Sequence, residues 1–157
     1  IASVCNDGLF SDFCGYQRNL VLIEGQGITL EHDQAGTDVL AHCLDIASFD
    51  GGGKTVGKLT SGAIKDFNVI TKIDKIEPKV NSYVGSKQVQ VELLANNLCF
   101  AYSLTDEMVV QALNAHINVV PTGHLAKLSI NDKDKQTKSL AVTFTGKNMI
   151  IIQLNAL

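Results

Sequence analysis

The alternation of apolar and polar residues through the later part of the chain constrains its fold more than any motif does. From Ser86 to Leu94, Val89, Val91 and Leu93 oppose Gln88, Gln90 and Glu92; Leu140, Val142 and Phe144 alternate with Ala141, Thr143 and Thr145. Successive side chains of a strand point to opposite faces, so a period of two buries one face of a sheet and wets the other. Phe67, Val69, Thr71 and Ile73 repeat the pattern against Lys72 and Asp74, Ala126, Leu128 and Ile130 repeat it against Lys127 and Ser129, and Met149 to Ile152 is a continuous apolar run. The spacing predicts that Phe67–Ile76 pairs with Ser86–Leu94 across a turn from Pro78 to Gly85. Asn131–Lys135 and Gly146–Asn148 carry turn chemistry between later strands. Upstream, Leu20–Ile23 and Ile28–Leu30 read as strands joined through Glu24-Gly25-Gln26-Gly27, where Leu30 stands in place of the third glycine of a dinucleotide fingerprint.

Two segments carry helical spacing instead. In Thr37–Phe49, Val39, Leu40, Cys43, Leu44 and Ala47 recur on one face behind a Thr37 cap, although His42, Leu44, Ile46 and Ser48 also fit a strand. In Asp106 to about His116, Thr105 caps, Leu104 staples onto Val109, and Asp106 and Glu107 suit the positive end of the helix dipole. The expected fold is α+β and mainly antiparallel β: a sandwich or small barrel with one or two flanking helices and a long Gly-rich loop. A length of 157 residues fits one domain over 1–157, with an irregular N-terminal arm at 1–18 and the loop at 50–62.

That loop, DGGGKTVGKLTSG, resembles a phosphate cradle and departs from it twice. A P-loop needs G-x-x-x-x-G-K-[ST] so that backbone N–H groups wrap the phosphates and the hydroxyl holds Mg²⁺. From Gly52 the pattern reaches Gly57 and Lys58 but then meets Leu59; ending on Gly53, Lys54 and Thr55 it begins at Ser48. Glycines at 57 and 62 also interrupt the helix that a P-loop must open. Gly51, Gly52, Gly53, Lys54, Thr55, Gly57 and Lys58 are therefore expected to contact a partner, as long loops in compact domains do, and no cofactor is expected.

A net charge of −3 with Arg18 as the sole arginine disfavours recognition of a polyanion along its length. Cys5, Cys14, Cys43 and Cys99 lack the close pairs of a zinc site and read as free thiols, with a Cys5–Cys14 bridge as the oxidised alternative. Among His32, His42, His116 and His124 no nucleophile signature appears, so no catalytic residue and no enzyme activity are expected. Glu31-His32-Asp33 reads as surface, because strand neighbours diverge. Asp38–His42, four apart on the expected helix, is the one pair worth testing for a metal, and a helix-face hydrogen bond explains it equally well. Asp132 and Asp134 start like a Ca²⁺ loop that Gln136 and Thr137 do not continue. No apolar run is long enough to span a bilayer.

The order of hairpin, capped helix and further strands from Phe67 to Leu157 resembles the tail-tube subunits of tailed bacteriophages. The resemblance implies a non-catalytic virion subunit that assembles with copies of itself into rings around a DNA conduit, touching DNA without reading its sequence. The alternatives are a small ligand-binding module that uses the 50–62 loop, and a small phosphate-binding enzyme that uses Asp38, His42 and the loop lysines.

Overall fold

A computed structural model of the chain describes residues 1–33, 35–112, 117–130 and 138–157, and every regular element among them is a β-strand. The chain divides into two compact units, Ile1–Ile76 and Glu77–Leu157.

The Ile1–Ile76 unit holds two four-stranded antiparallel sheets. One has the order β1 (Ala2–Val4), β8 (Ile64–Lys72), β3 (Tyr16–Glu24), β6 (Ile46–Asp50); the other has the order β2 (Gly8–Leu9), β7 (Thr55–Leu59), β4 (Ile28–His32), β5 (Gly36–Leu40). Leu20, Leu22, Ala47, Phe49 and Ile64 of the first sheet share one core with Ile28, Leu30 and Leu40 of the second, and Phe10 and Leu59 pack against it. Each large apolar side chain buried there contributes about 1.5–3 kcal/mol. The two strands legible upstream thus exist, but β3 and β4 lie in different sheets. The chain crosses between them at Gly25 and Gly27, whose φ values of 110° and 115° are left-handed territory, so the would-be dinucleotide fingerprint is a turn.

The Glu77–Leu157 unit is one six-stranded sheet. Its order is β12 (Asn118–Val120), β11 (Met108–Ala112), β14 (Ser139–Ala156), β10 (Leu98–Ser103), β13 (Leu125–Leu128), and β9 (Ile76–Leu94) also pairs with β14. Its core is apolar throughout, built on Leu93, Met108, Val110, Phe144, Met149 and Ile151.

Neither expected helix forms among the described residues. Within Thr37–Phe49 the Asp45 carboxylate accepts the Ala41 and His42 N–H groups at 2.9 and 2.8 Å, and Leu44 turns the chain at φ 75°. The side chain thus replaces helical bonding with a turn between β5 and β6, and the period-two burial of Ala47 and Phe49 prevails. At Asp106 the capping groups are engaged elsewhere: Thr105 Oγ1 donates to the Lys147 carbonyl and Leu104 N–H to that of Asn148. Met108-Val109-Val110 then enters the sheet, as β-branched residues favour; residues 113–116, with His116, lie outside the described residues, as do Asp132 and Asp134.

Three other expectations change. Residues 78–85 run inside β9 rather than forming a turn, and β8 pairs with β1 and β3 rather than with β9. Gly146-Lys147-Asn148 lies within β14, at the point where that strand changes partner from β11, paired at 142–145, to β10, paired at 149–154. Residues 1–18 contain β1, β2 and the start of β3 rather than an irregular arm, and the expected 50–62 loop is a tight turn followed by β7.

Gly57 shows why the glycines of that segment are there. A Cβ on it would sit 2.5 Å from the Phe10 ring and 3.1 Å from Ile28 Cδ1. Gly57→Ala should therefore cost about 1–3 kcal/mol in urea denaturation through overpacking, whereas Gly8→Ala, with nothing within 4 Å of the new methyl, should change stability by less than about 0.5 kcal/mol.

Candidate functional site

The interior of the Ile1–Ile76 unit is apolar at one end and polar at the other, and strand register explains the division. Residues directly opposite in a ladder share a face. Leu30 opposes Asp38 and His32 opposes Thr55, while on the other sheet Arg18 opposes Phe49, Leu20 opposes Asn68 and Leu22 opposes Asp66. The faces that carry Ile28, Leu40 and Ile64 therefore continue into a histidine, a guanidinium and two carboxylates.

On the second sheet, His32 is held at both ring nitrogens. Nε2 lies 3.1 Å from Asp38 Oδ2 and Nδ1 lies 2.8 Å from Thr55 Oγ1. The ring packs on Phe49 at 4.8 Å between centroids. Asp38 reaches His32 diagonally across β4 and β5, the distance at which cross-strand side chains meet. It does not meet His42, whose exposed ring lies 3.6 Å from Asp45 instead; the i, i+4 geometry disappeared with the helix.

On the first sheet, Arg18 is only 5% exposed. Its guanidinium carbon lies 5.1 Å from the Phe10 ring centroid and 5.3 Å from those of Phe13 and Phe49, within range of the attraction between a cation and an aromatic face. Nη2 donates to Asn68 Oδ1 at 2.9 Å, and Asn68 Nδ2 donates in turn to Asp66 Oδ1. Burial lowers the Arg18 pKa against the opposing pull of Asp66, and burial raises that of Asp66 against the pull of Arg18. Arg18 Nε and Asp66 Oδ2 have no hydrogen-bond partner within the protein.

Cavities adjoin these groups on both sheets. The larger, about 600 Å³, is lined by His32, Asp33, Asp38, Phe49, Asp50 and Lys54 among others. The smaller, about 350 Å³, is lined by Phe10, Ser11, Arg18, Asp66 and Asn68 together with residues of the first strands. Phe49 walls the larger and touches the guanidinium that lines the smaller.

The expected contact residues scatter into separate roles. Gly51 N–H donates to the Tyr16 carbonyl at 2.7 Å, and Gly52 N–H donates to Asp50 Oδ1 at 2.9 Å, which closes the turn. Gly53 and Lys54 line the larger cavity. Thr55 orients His32, Gly57 admits Phe10, and Lys58 forms an exposed ion pair with Glu31 at 2.6 Å, a type worth about 0–1 kcal/mol. Sequence reasoning passed over Arg18, Asp66, Asn68 and the His32–Asp38 pair. The available signal was the alternation itself, which places Arg18 on the same strand face as Leu20 and Leu22 without naming what would pair with it.

Cys5, Cys14, Cys43 and Cys99 are all free thiols; burial pushes Cys99 up to about 11. Among the described residues no group of three or more His, Cys, Asp or Glu side chains converges where a metal ion would sit. No helix among them is long and apolar enough to cross a membrane.

A family model described as HutD matches residues 1–150. An uncharacterized 21.2 kDa protein from the hutC 3' region of Pseudomonas putida is 28% identical over 123 residues, which are 78% of this chain and 58% of that protein. The chain thus spans little more than half the length of this curated relative. Among solved structures, HutD from Pseudomonas fluorescens matches with a TM-score of 0.77 at 24% identity, over 99% of this chain and 76% of that one. A conserved protein of unknown function from Pseudomonas aeruginosa gives 0.75 at 22%, over 99% and 80%. A cupin 2 conserved barrel domain protein from Leptotrichia buccalis gives 0.54 at 12%, over 99% and 81%. The fold is accordingly mostly antiparallel β and cupin-like. These likenesses overturn the resemblance to phage tail tubes, and with it the virion role, the self-assembling ring and the DNA conduit. The element order behind that resemblance turned on a helix that is strand β11, and hairpin order alone is shared by many antiparallel folds.

Because burial raises the Asp66 carboxyl above the ordinary carboxylate range, its contribution to folding is complete below the unfolded pKa and is lost as pH rises through the folded one. Asp66→Asn lacks that loss. The stability of the natural protein relative to Asp66→Asn should fall as pH rises from about 3 to about 7 in urea titrations; a difference independent of pH would show that the carboxyl is not raised.

Proposed function

The chain belongs to the HutD family, and from that premise we propose that it is a non-catalytic small-molecule binding module whose ligand sits in the larger cavity of the Ile1–Ile76 unit. The observation that carries the reading is the cavity itself: about 600 Å³ at the polar end of an otherwise apolar interior, within the size range of small-molecule sites.

The lining sets the ligand class. Asp33, Asp38 and Asp50 face a single Lys54 and His32, so the cavity favours a small polar ligand that carries a cationic or hydrogen-bond-donating nitrogen. The Phe49 ring offers a flat surface for a planar group. Binding is favoured over catalysis because the Thr55 hydroxyl, the nucleophile that His32 would serve, belongs to a residue 2% exposed and does not line the cavity.

A panel of small amines, amino acids and nitrogen heterocycles should contain compounds that raise the melting temperature of the full chain. Asp38→Asn should weaken those compounds by tenfold or more, as loss of a charge-assisted hydrogen bond does. A panel that leaves the melting temperature unmoved, or hits indifferent to Asp38→Asn, would contradict the assignment.

A further inference from the structure

The smaller cavity is distinct from the one just assigned, and its chemistry is that of an incomplete hydrogen-bond network. Arg18 is 5% exposed and Asp66 is fully buried, yet Arg18 Nε and Asp66 Oδ2 find no partner in the protein. Both residues line a cavity of about 350 Å³ with Asn68 and Phe10. Buried polar groups are nearly always satisfied, and a specific exception in a polar cavity points to a missing occupant. Asn68 already bridges the two residues on one side, by accepting from Arg18 Nη2 and donating to Asp66 Oδ1. Arg18 Nη1 donates to the Ser11 carbonyl at 3.4 Å, and Arg18 Nε and Asp66 Oδ2 remain open as one donor and one acceptor.

We propose that this cavity is a second ligand site, for a small neutral molecule bearing a carboxamide group. The carboxamide oxygen accepts from Arg18 Nε–H and its amino group donates to Asp66 Oδ2, which repeats what Asn68 does on the other side. A carboxamide presents an acceptor and a donor together. A carboxylate presents two acceptors, and one of them would oppose Asp66 unless that group took up a proton; a ketone offers no donor and leaves Asp66 Oδ2 unsatisfied. Charge leads to the same ligand class. Arg18 and Asp66 neutralise each other within the buried cluster, so an added net charge would meet no compensating one.

Arg18 is the only arginine in the chain, so one side-chain Nε–H resonance reports on the site directly and the chain serves without substitution. Acetamide, acetate and acetone, three ligands of matching shape, are titrated at neutral pH while that resonance is followed. Acetamide is expected to shift it saturably at millimolar concentration, with acetone at least about tenfold weaker, as sites built to hydrogen-bond reject analogues lacking the group. Acetate is expected to bind more weakly still, with an affinity that rises toward acid pH. No saturable shift with acetamide overturns the proposal, and so does acetone or acetate binding as tightly as acetamide. The nitrogen-ligand panel for the larger cavity reads out through Asp38, so failure there leaves this result standing, and the reverse holds.

Discussion

The Ile1–Ile76 unit is organised around one buried cation. Placing a guanidinium inside a protein costs several kcal/mol in lost hydration unless the surroundings replace the water. Three phenylalanine rings and the Asn68–Asp66 pair supply that replacement around Arg18. Each ring interaction contributes about 0.5–2 kcal/mol, so the cage and the hydrogen-bonded network together are of the right size to hold the charge. Much of the local architecture follows. Phe49 must lie opposite Arg18, which fixes the register of β3 against β6; Phe10 must lie over β7, which requires glycine at 57; Asp66 and Asn68 must both face inward, which fixes β8.

The same arrangement separates function from stability along the chain. In Glu77–Leu157 the core cluster is made of apolar side chains, and Ser103 is the one polar residue buried there among the described residues. In Ile1–Ile76 the core sheets carry Arg18, Asp66, His32 and Thr55 inward beside Ile28, Leu30 and Leu40. Such groups reduce stability unless satisfied, and they concentrate at one end of one unit, beside its cavities.

The β character of the chain was legible because it rests on a local signal, the period of two. The strands around Val89–Leu93, Leu140–Phe144 and Met149–Ile152 all exist. Partner choice was not legible: β3 and β4 are sequence neighbours in different sheets, and β14 runs through a Gly-Lys-Asn segment that has turn chemistry. Both false helices arose where local spacing and caps agreed with a helix: a tertiary bond claimed the Thr105 cap, and a local turn closed by the Asp45 carboxylate replaced the helix within Thr37–Phe49. The Asp50–Gly62 segment misled for a related reason, since Gly57 answers to Phe10, far away in sequence, and not to a phosphate. His32 was set aside because Glu31 and Asp33 diverge from it; that geometry is right, but its partners Asp38 and Thr55 come from neighbouring strands. Arg18 was visible as the sole arginine, yet its burial depends on three rings and a strand pairing that no local pattern records.

Crystals of the full chain soaked with small nitrogen compounds test the central claim, that the interior of the Ile1–Ile76 unit is a small-molecule site, most directly. The account predicts a bound molecule against the Phe49 ring with a nitrogen within hydrogen-bond distance of Asp38, Asp50 or Asp33. Bound molecules found only outside that interior, with the space beside Phe49 closed by the protein's own side chains, would contradict it.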